Sequence, residues 1–204
     1  MPRPVLTRRA LLDAGRTEFA RHGLAGGRTD RIAAASGVNK QRIYAYFGSK
    51  EGLFEAVVDD ALQDLLDVVP LPADAPDAAT LAREYVGNLV AYHSEHPELM
   101  RLVQWESLER TSTVDLAGPR AVEFVAKARA LAYGLGLTQD QAASLLLQLT
   151  LLAAGPQALR SLTSMALAAA PEAALIKAGE SAVAAAATLV TAAVAQHADP
   201  QSRP

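Results

Sequence analysis

The chain has no cysteine among its 204 residues, which excludes disulfide frameworks, thiol nucleophiles and thiolate metal sites. It has no run of about 18 consecutive apolar residues of the kind that spans a bilayer. The basic opening MPRPVLTRRALL lacks a long apolar core and a small-residue cleavage site, so it does not read as a secretory signal. A cytoplasmic location without a membrane partner is the expectation. No stretch alternates strictly between apolar and polar residues, so a sheet is not expected, and no fixed-length repeat is visible. Gly23, Gly26 and Gly27 form a connector and lack the spacing of a phosphate-cradling loop. No Ser-His-Asp or paired-carboxylate constellation has a recognisable context. Catalytic residues, cofactors and metals are accordingly not expected.

What the chain does have is helical pattern. Half of its residues are hydrophobic, enough for a sizeable core. Thr29 to Phe54, TDRIAAASGVNKQRIYAYFGSKEGLF, reads as two short helices, a tight turn between them, and a third helix beginning at Ser49. Gly37 suits the left-handed residue that ends a helix. Asn39 is placed to cap the next one, and Val38 and Ile43 have the spacing of a hydrophobic staple. On the second helix Ile43 and Phe47 face inward, four residues apart. Lys40, Gln41 and Tyr44 face outward, flanked by Arg42 and Tyr46. Amide, cationic and phenolic side chains on one exposed helix suit base edges and phosphates in a major groove. Lys50, at the capped start of the third helix, suits a phosphate.

Charge is distributed in the same sense. Residues 1–50 carry ten Lys or Arg against three acids, whereas the remainder carries nine against nineteen. The overall charge of −3 hides a basic head on an acidic body, the footprint of a polyanion-binding domain joined to something else.

The head, roughly Thr7 to Val58, resembles the N-terminal domain of the TetR family of bacterial transcriptional repressors. Leu11, Gly15 and Phe19, then His22-Gly23, Ile32-Ala33, Ser36-Gly37-Val38, Ile43-Tyr44, Tyr46-Phe47 and Ser49-Lys50-Glu51 carry the likeness. Gly27-Arg28 stands where the family usually has a hydroxyl pair; Gly27 still suits a cap and Arg28 a phosphate. Gly15 stands where Ala is usual, and is expected to loosen the first helix by roughly 0.5–1 kcal/mol. The resemblance implies an all-α homodimer: a helix–turn–helix head over residues 1–48 and a helical effector-binding, dimerising body over 49–204. It also implies double-stranded operator DNA and a small-molecule effector as partners. The DNA-contacting set expected from the pattern and the resemblance together is Arg28, Thr29, Asn39, Lys40, Gln41, Arg42, Tyr44, Tyr46 and Lys50.

In the body, the helix from Ser49 carries an apolar stripe to about Val69. A Pro-rich loop follows, then helices over about 78–95, 97–110, 119–135, 138–155 and 172–197, with a shorter one over 156–168. Pro97, Pro119, Pro156 and Pro171 mark the starts. The stretches 138–155 and 172–197 are nearly uncharged and rich in small residues, and are expected to form the homodimer interface. Tyr85, Tyr92, Met100, Trp105 and Phe124 are candidate walls of an apolar effector cavity, with Glu106 or Glu109 as polar anchor. Packing a core is the other role open to each of them. His93 and His96 have metal-compatible spacing, but Pro97 directly after them reads as a helix end. The alternative function is a helical protein-interaction module, or an enzyme on a helical body, with an incidental basic head.

Overall fold

The computed structural model describes residues 3–109 and 118–198. Among these, every regular element is helical: α1 (Arg3–Gly26), α2 (Thr29–Ser36), α3 (Lys40–Phe47), α4 (Lys50–Val68), α5 (Ala78–Glu95), α6 (Pro97–Glu109), α7 (Pro119–Leu135), α8 (Gln139–Ala158), α9 (Arg160–Ala166) and α10 (Pro171–Ala198). The all-α expectation agrees with this order, and so do the helix ranges of the body except for the break expected after residue 155; residue 110 lies outside the described residues.

The chain divides into two compact units. The first is Met1–Leu65 with His96–Val114, the second Leu66–Glu95 with Asp115–Pro204. The expected division after residue 48 therefore falls inside the first unit. The reason is packing: α6 lies along α1, and most of α4 belongs to the same core. That core contains Leu11, Leu12, Phe19, Ile32, Ile43, Leu53, Phe54 and Val57, each at most 1% exposed. Phe19 and Phe54 meet edge to face, with ring centres 5.2 Å apart.

Gly15 has a packing reason that its helix propensity hides. A Cβ there would lie 2.8 Å from Cγ2 of Val57 on α4. The missing side chain lets α1 and α4 approach closely.

In the second unit α5 packs against both α8 and α10. Ala82, Tyr85, Val86 and Leu89 are the buried face of α5. Ala174, Ala182, Ala186 and Val190, each at most 3% exposed, form the buried stripe of α10. The backbone of Gly179 comes so close to Val90 that a Cβ would sit 2.7 Å from its Cγ1. The opposite sides remain apolar yet uncovered: Leu147 and Leu151 on α8 and Ile176 on α10 are 50%, 60% and 64% exposed. By length and composition α10 would also cross a bilayer, although it has a buried stripe against α5 and α8.

Pro97, Pro119 and Pro171 open helices as expected, but Pro156 does not. It lies in the last turn of α8, which runs on to Ala158 before the chain bends by 86° into α9. A proline near a helix end forfeits one backbone bond without breaking the turns before it.

Gly15→Ala is expected to destabilise the protein by about 1 kcal/mol: crowding Val57 costs about 1–3 kcal/mol, against roughly 0.5–1 kcal/mol of helix propensity gained. Denaturant unfolding measures it, and in a Val57→Ala background the same change should cost less.

Candidate nucleic-acid interface

The turn between α2 and α3 is built as its residues dictate. Gly37 takes the left-handed conformation (φ 66°, ψ 16°). The Val38 amide donates to the Ala33 carbonyl at 3.2 Å, closing the end of α2. Asn39 Oδ1 accepts from the Gln41 amide at 2.9 Å and so caps α3. Ser49 Oγ accepts from the Gly52 amide at 3.0 Å and caps α4. Ile43, fully buried, roots α3 in the core.

The seat of α2 comes from a residue the sequence pattern did not single out. Glu18 of α1, only 9% exposed, accepts from the Arg28 amide at 2.9 Å and from Arg31 Nε at 2.8 Å. Arg31 Nη2 adds a second bond to the same carboxylate and donates to the Gly26 carbonyl at 3.1 Å. Burial alone would push the Glu18 carboxyl up, but the Arg31 bonds and the Arg28 amide bring it below its ordinary range. Arg28, rather than Gly27, is the N-cap residue of α2, in extended conformation and without a side-chain cap bond. Glu18 and Arg31 lie thirteen residues apart, which no helical or turn spacing flags.

On α3, Gln41 and Arg42 are exposed, and Tyr44 is 46% exposed. Lys40 pairs with Asp30 of α2 at 2.8 Å, a bond that raises its pKa. Tyr46 and Phe47 are half-buried. Lys50 Nζ reaches the Ala25 and Gly27 carbonyls at 3.5 and 3.4 Å, next to the α1–α2 connector. Thr29 is only 8% exposed, so its side chain packs inward while its neighbour Arg28 is exposed. Of the expected contacts, Arg28, Asn39, Gln41, Arg42 and Tyr44 are thus exposed, Lys40, Tyr46 and Lys50 are half-exposed, and Thr29 is buried.

The charge surplus of the head is smaller in the fold than in the sequence. Arg16 bonds Asp60 and Asp64 of α4 at 2.9 and 2.6 Å, and Arg9 bonds Asp60 at 3.4 Å. Arg28 and Arg42 have no ion-pair partner among the described residues.

The seven candidate effector residues divide between the units. Tyr85, Tyr92 and Phe124 belong to the second; Met100, Trp105, Glu106 and Glu109 belong to the first. Glu109 is committed to α1. Gly23 breaks α1 with φ 66° and ψ −174°, freeing the amides of Leu24 and Ala25, and the Glu109 carboxylate accepts from both. The Trp105 ring packs on Gly23 so closely that a Cβ there would lie 2.8 Å from it. In the second unit Tyr85 is 3% exposed, its phenol pushed up to about 12 by burial despite a bond with Thr150. Lys127, also missed by the sequence pattern, is 7% exposed. It donates to the Leu66 and Val69 carbonyls at 3.1 and 2.6 Å, securing the end of α4, and lies 5.9 Å from the Tyr85 ring centre. Burial pushes its pKa down, against the opposing pull of Glu123 and Asp67.

His93 and His96 flank the end of α5, as Pro97 implied. His96 pairs with Glu98 at 3.5 Å. His93 is 1% exposed, and among the described residues neither of its ring nitrogens has a partner. No group of three or more metal-ligating side chains with suitable geometry occurs among the described residues.

Burial holds His93 neutral, with its pKa down at about 4. Between that value and the ordinary 6.5 the unfolded chain binds a proton that the folded chain refuses, so stability must fall on acidification through this window. His93 alone should cost about 1.5 kcal/mol between pH 6.5 and 5. His93→Met should flatten that part of the stability–pH curve relative to the parent; an unchanged slope would show that His93 is protonated in the fold.

Comparison with known proteins bears on both ends of the chain. The family model of the bacterial regulatory proteins of the tetR family matches residues 11–57. The model of the tetracyclin repressor-like C-terminal domain matches residues 82–197, more than half of the chain. The HTH-type transcriptional repressor SCO4008 of Streptomyces coelicolor is 43% identical over 106 residues, 52% of this chain and 52% of that protein. The HTH-type transcriptional repressor NicS of Pseudomonas putida is 32% identical over 105 residues, 51% of this chain and 50% of its own. The chain thus matches about half the length of these curated relatives. The crystal structure of the transcriptional regulator SCO4942 from Streptomyces coelicolor superposes with a TM-score of 0.62 at 28% identity, covering 97% of this chain and 99% of that one.

Proposed function

The chain belongs to the TetR family of bacterial regulatory proteins, and from that premise we propose that it is a cytoplasmic, effector-released repressor that binds a palindromic operator as a homodimer. Its relatives are transcriptional regulators, not enzymes. The observation that carries the reading is α3: a capped, core-rooted helix whose outward side chains are Lys40, Gln41, Arg42 and Tyr44. In this reading Lys40, Gln41 and Tyr44 approach base edges, and Arg28, Arg42, Tyr46 and Lys50 hold phosphates. Asn39 and Thr29 serve through the backbone amides at their helix starts.

The homodimer is proposed through α8 and α10. Uncovered Leu147, Leu151 and Ile176 support it, since a second copy would bury the same apolar faces by two-fold symmetry. The bilayer-length composition of α10 is accounted for in the same way.

Effector release is proposed to travel along α4. That helix is continuous from Lys50 to Val68. Ser49 caps its start in the first unit, and Lys127 secures its last carbonyls in the second. A mainly apolar effector near Tyr85, Tyr92 and Phe124 would act on the end that Lys127 holds, and a stiff helix carries the displacement to its start. A hundredfold preference for the DNA-incompetent state corresponds to about 2.7 kcal/mol of coupling, and DNA must then weaken the effector by the same factor.

Selection of operator from random duplexes, followed by binding of variants, tests the contacts. Gln41→Ala should relax preference at one base pair per half-site, at roughly 1–3 kcal/mol. Lys50→Ala should weaken specific and non-specific duplexes about equally. A Lys50→Ala protein that changed only its sequence preference would contradict the assignment.

Sedimentation should find a dimer at micromolar concentration and a palindromic selected site, with half-sites about 34–36 Å apart or a multiple. A monomer throughout that range would contradict the homodimer.

A further inference from the structure

A groove of about 630 Å³ lies along α1 and α6, lined by residues of the first unit only. Its lining includes Arg21 and Arg101 together with Ala20, Gln104, Trp105 and Leu108. The volume suits a small organic molecule, for which sites run roughly 300–1,000 Å³. We propose that this groove is a binding site for an amphipathic organic anion, an aromatic or aliphatic carboxylate or sulfonate whose charge meets Arg21 and Arg101 and whose apolar part lies on Trp105 and Leu108.

Charge is the first argument. In this unit Arg9, Arg16, Arg31 and Lys40 have carboxylate partners; Arg8 lies over the Phe47 ring, and among the described residues Arg28, Arg42 and Lys50, at or beside α3, have no such partner. Arg21 and Arg101, both exposed, have none among the described residues, yet line one groove from two helices. Glu109, one residue beyond Leu108 on α6, does not neutralise them, because it is spent on the Leu24 and Ala25 amides. Two like charges facing one cavity disfavour each other, and an anion between them reverses that sign. Guanidinium groups suit carboxylate and sulfonate oxygens because they present paired donors.

The apolar part is the second argument. Leu108 is 76% exposed on a helix whose other face is buried through Leu99 and Leu102. Trp105 is half-buried, its ring against Gly23, and the groove runs past it. A purely inorganic anion would leave this surface wet, and a neutral apolar molecule would leave both guanidiniums without a partner. The site is distinct from the effector region proposed around Tyr85 and stands without it.

Trp105 is the only tryptophan and lines the groove, so it reports occupancy directly. The test titrates the full-length protein with 8-anilinonaphthalene-1-sulfonate and with N-phenyl-1-naphthylamine, its uncharged counterpart, while Trp105 emission is followed. The sulfonate should quench saturably with at least tenfold higher affinity than the amine. The Arg21→Gln/Arg101→Gln double variant should lose that preference and bind the two probes alike. Arg21→Lys/Arg101→Lys should retain part of it, and neither double variant should change affinity for duplex DNA. Equal affinity of the parent for both probes, or a glutamine variant that binds the sulfonate like the parent, would overturn the proposal. A double variant with weakened DNA binding would assign the arginines to phosphates instead, and would overturn it too.

Discussion

The rest of the head depends on the carboxylate of Glu18. It is nearly buried, and it takes hydrogen bonds from a backbone amide and a guanidinium of the helix that precedes the recognition helix. A carboxylate removed from water is costly unless its lone pairs are filled, and here Arg31 and Arg28 fill them. The result is directional where a purely apolar contact would not be. It fixes how α2 is seated on α1, and the tight turn at Gly37 and Asn39 then passes that orientation to α3. Preorganisation of this kind matters for reading DNA, because base-edge contacts are worth their full value only when the helix needs no reordering on docking.

Electrostatics in this molecule works by subtraction. The sequence gives the first fifty residues a large basic surplus, but residues 51–65 bring five acids on α4. Asp60 and Asp64 take up Arg9 and Arg16, and within the head Asp30 and Glu18 take up Lys40 and Arg31. Among the described cations without a carboxylate partner, two pairs bear on function. Arg28 and Arg42 accompany the recognition helix, while Arg21 and Arg101 line the α1–α6 groove.

What was legible in the sequence was local. Gly37, Asn39 and Ser49 act within three residues of themselves, so the turn, both caps and the helix that presents Gln41 could be read directly. The body helices were legible because proline and apolar periodicity mark them, apart from Pro156, which the end of α8 absorbs. The long-range partners had no such signal. Nothing near Trp105 or Glu109 in the chain announces that α6 packs on the broken end of α1, more than eighty residues away. Gly15 looked like a weakness of α1 until Val57 was seen against it. Nothing in the pattern around Lys127 marks it, although its ammonium closes the end of α4. Aromatic composition gathered seven effector candidates into one group, whereas the fold distributes them over two units.

The central claim is that the surface around α3 meets the phosphates of duplex DNA. Its most direct test is the salt dependence of the association constant for a selected duplex. Two heads that each engage Arg28, Arg42 and Lys50 displace about six counterions, which corresponds to a log–log slope of about −5. A slope of that order, in a protein with an acidic overall charge of −3, would locate the interaction on the head. A slope near zero, or no measurable duplex affinity at low salt, would contradict the account.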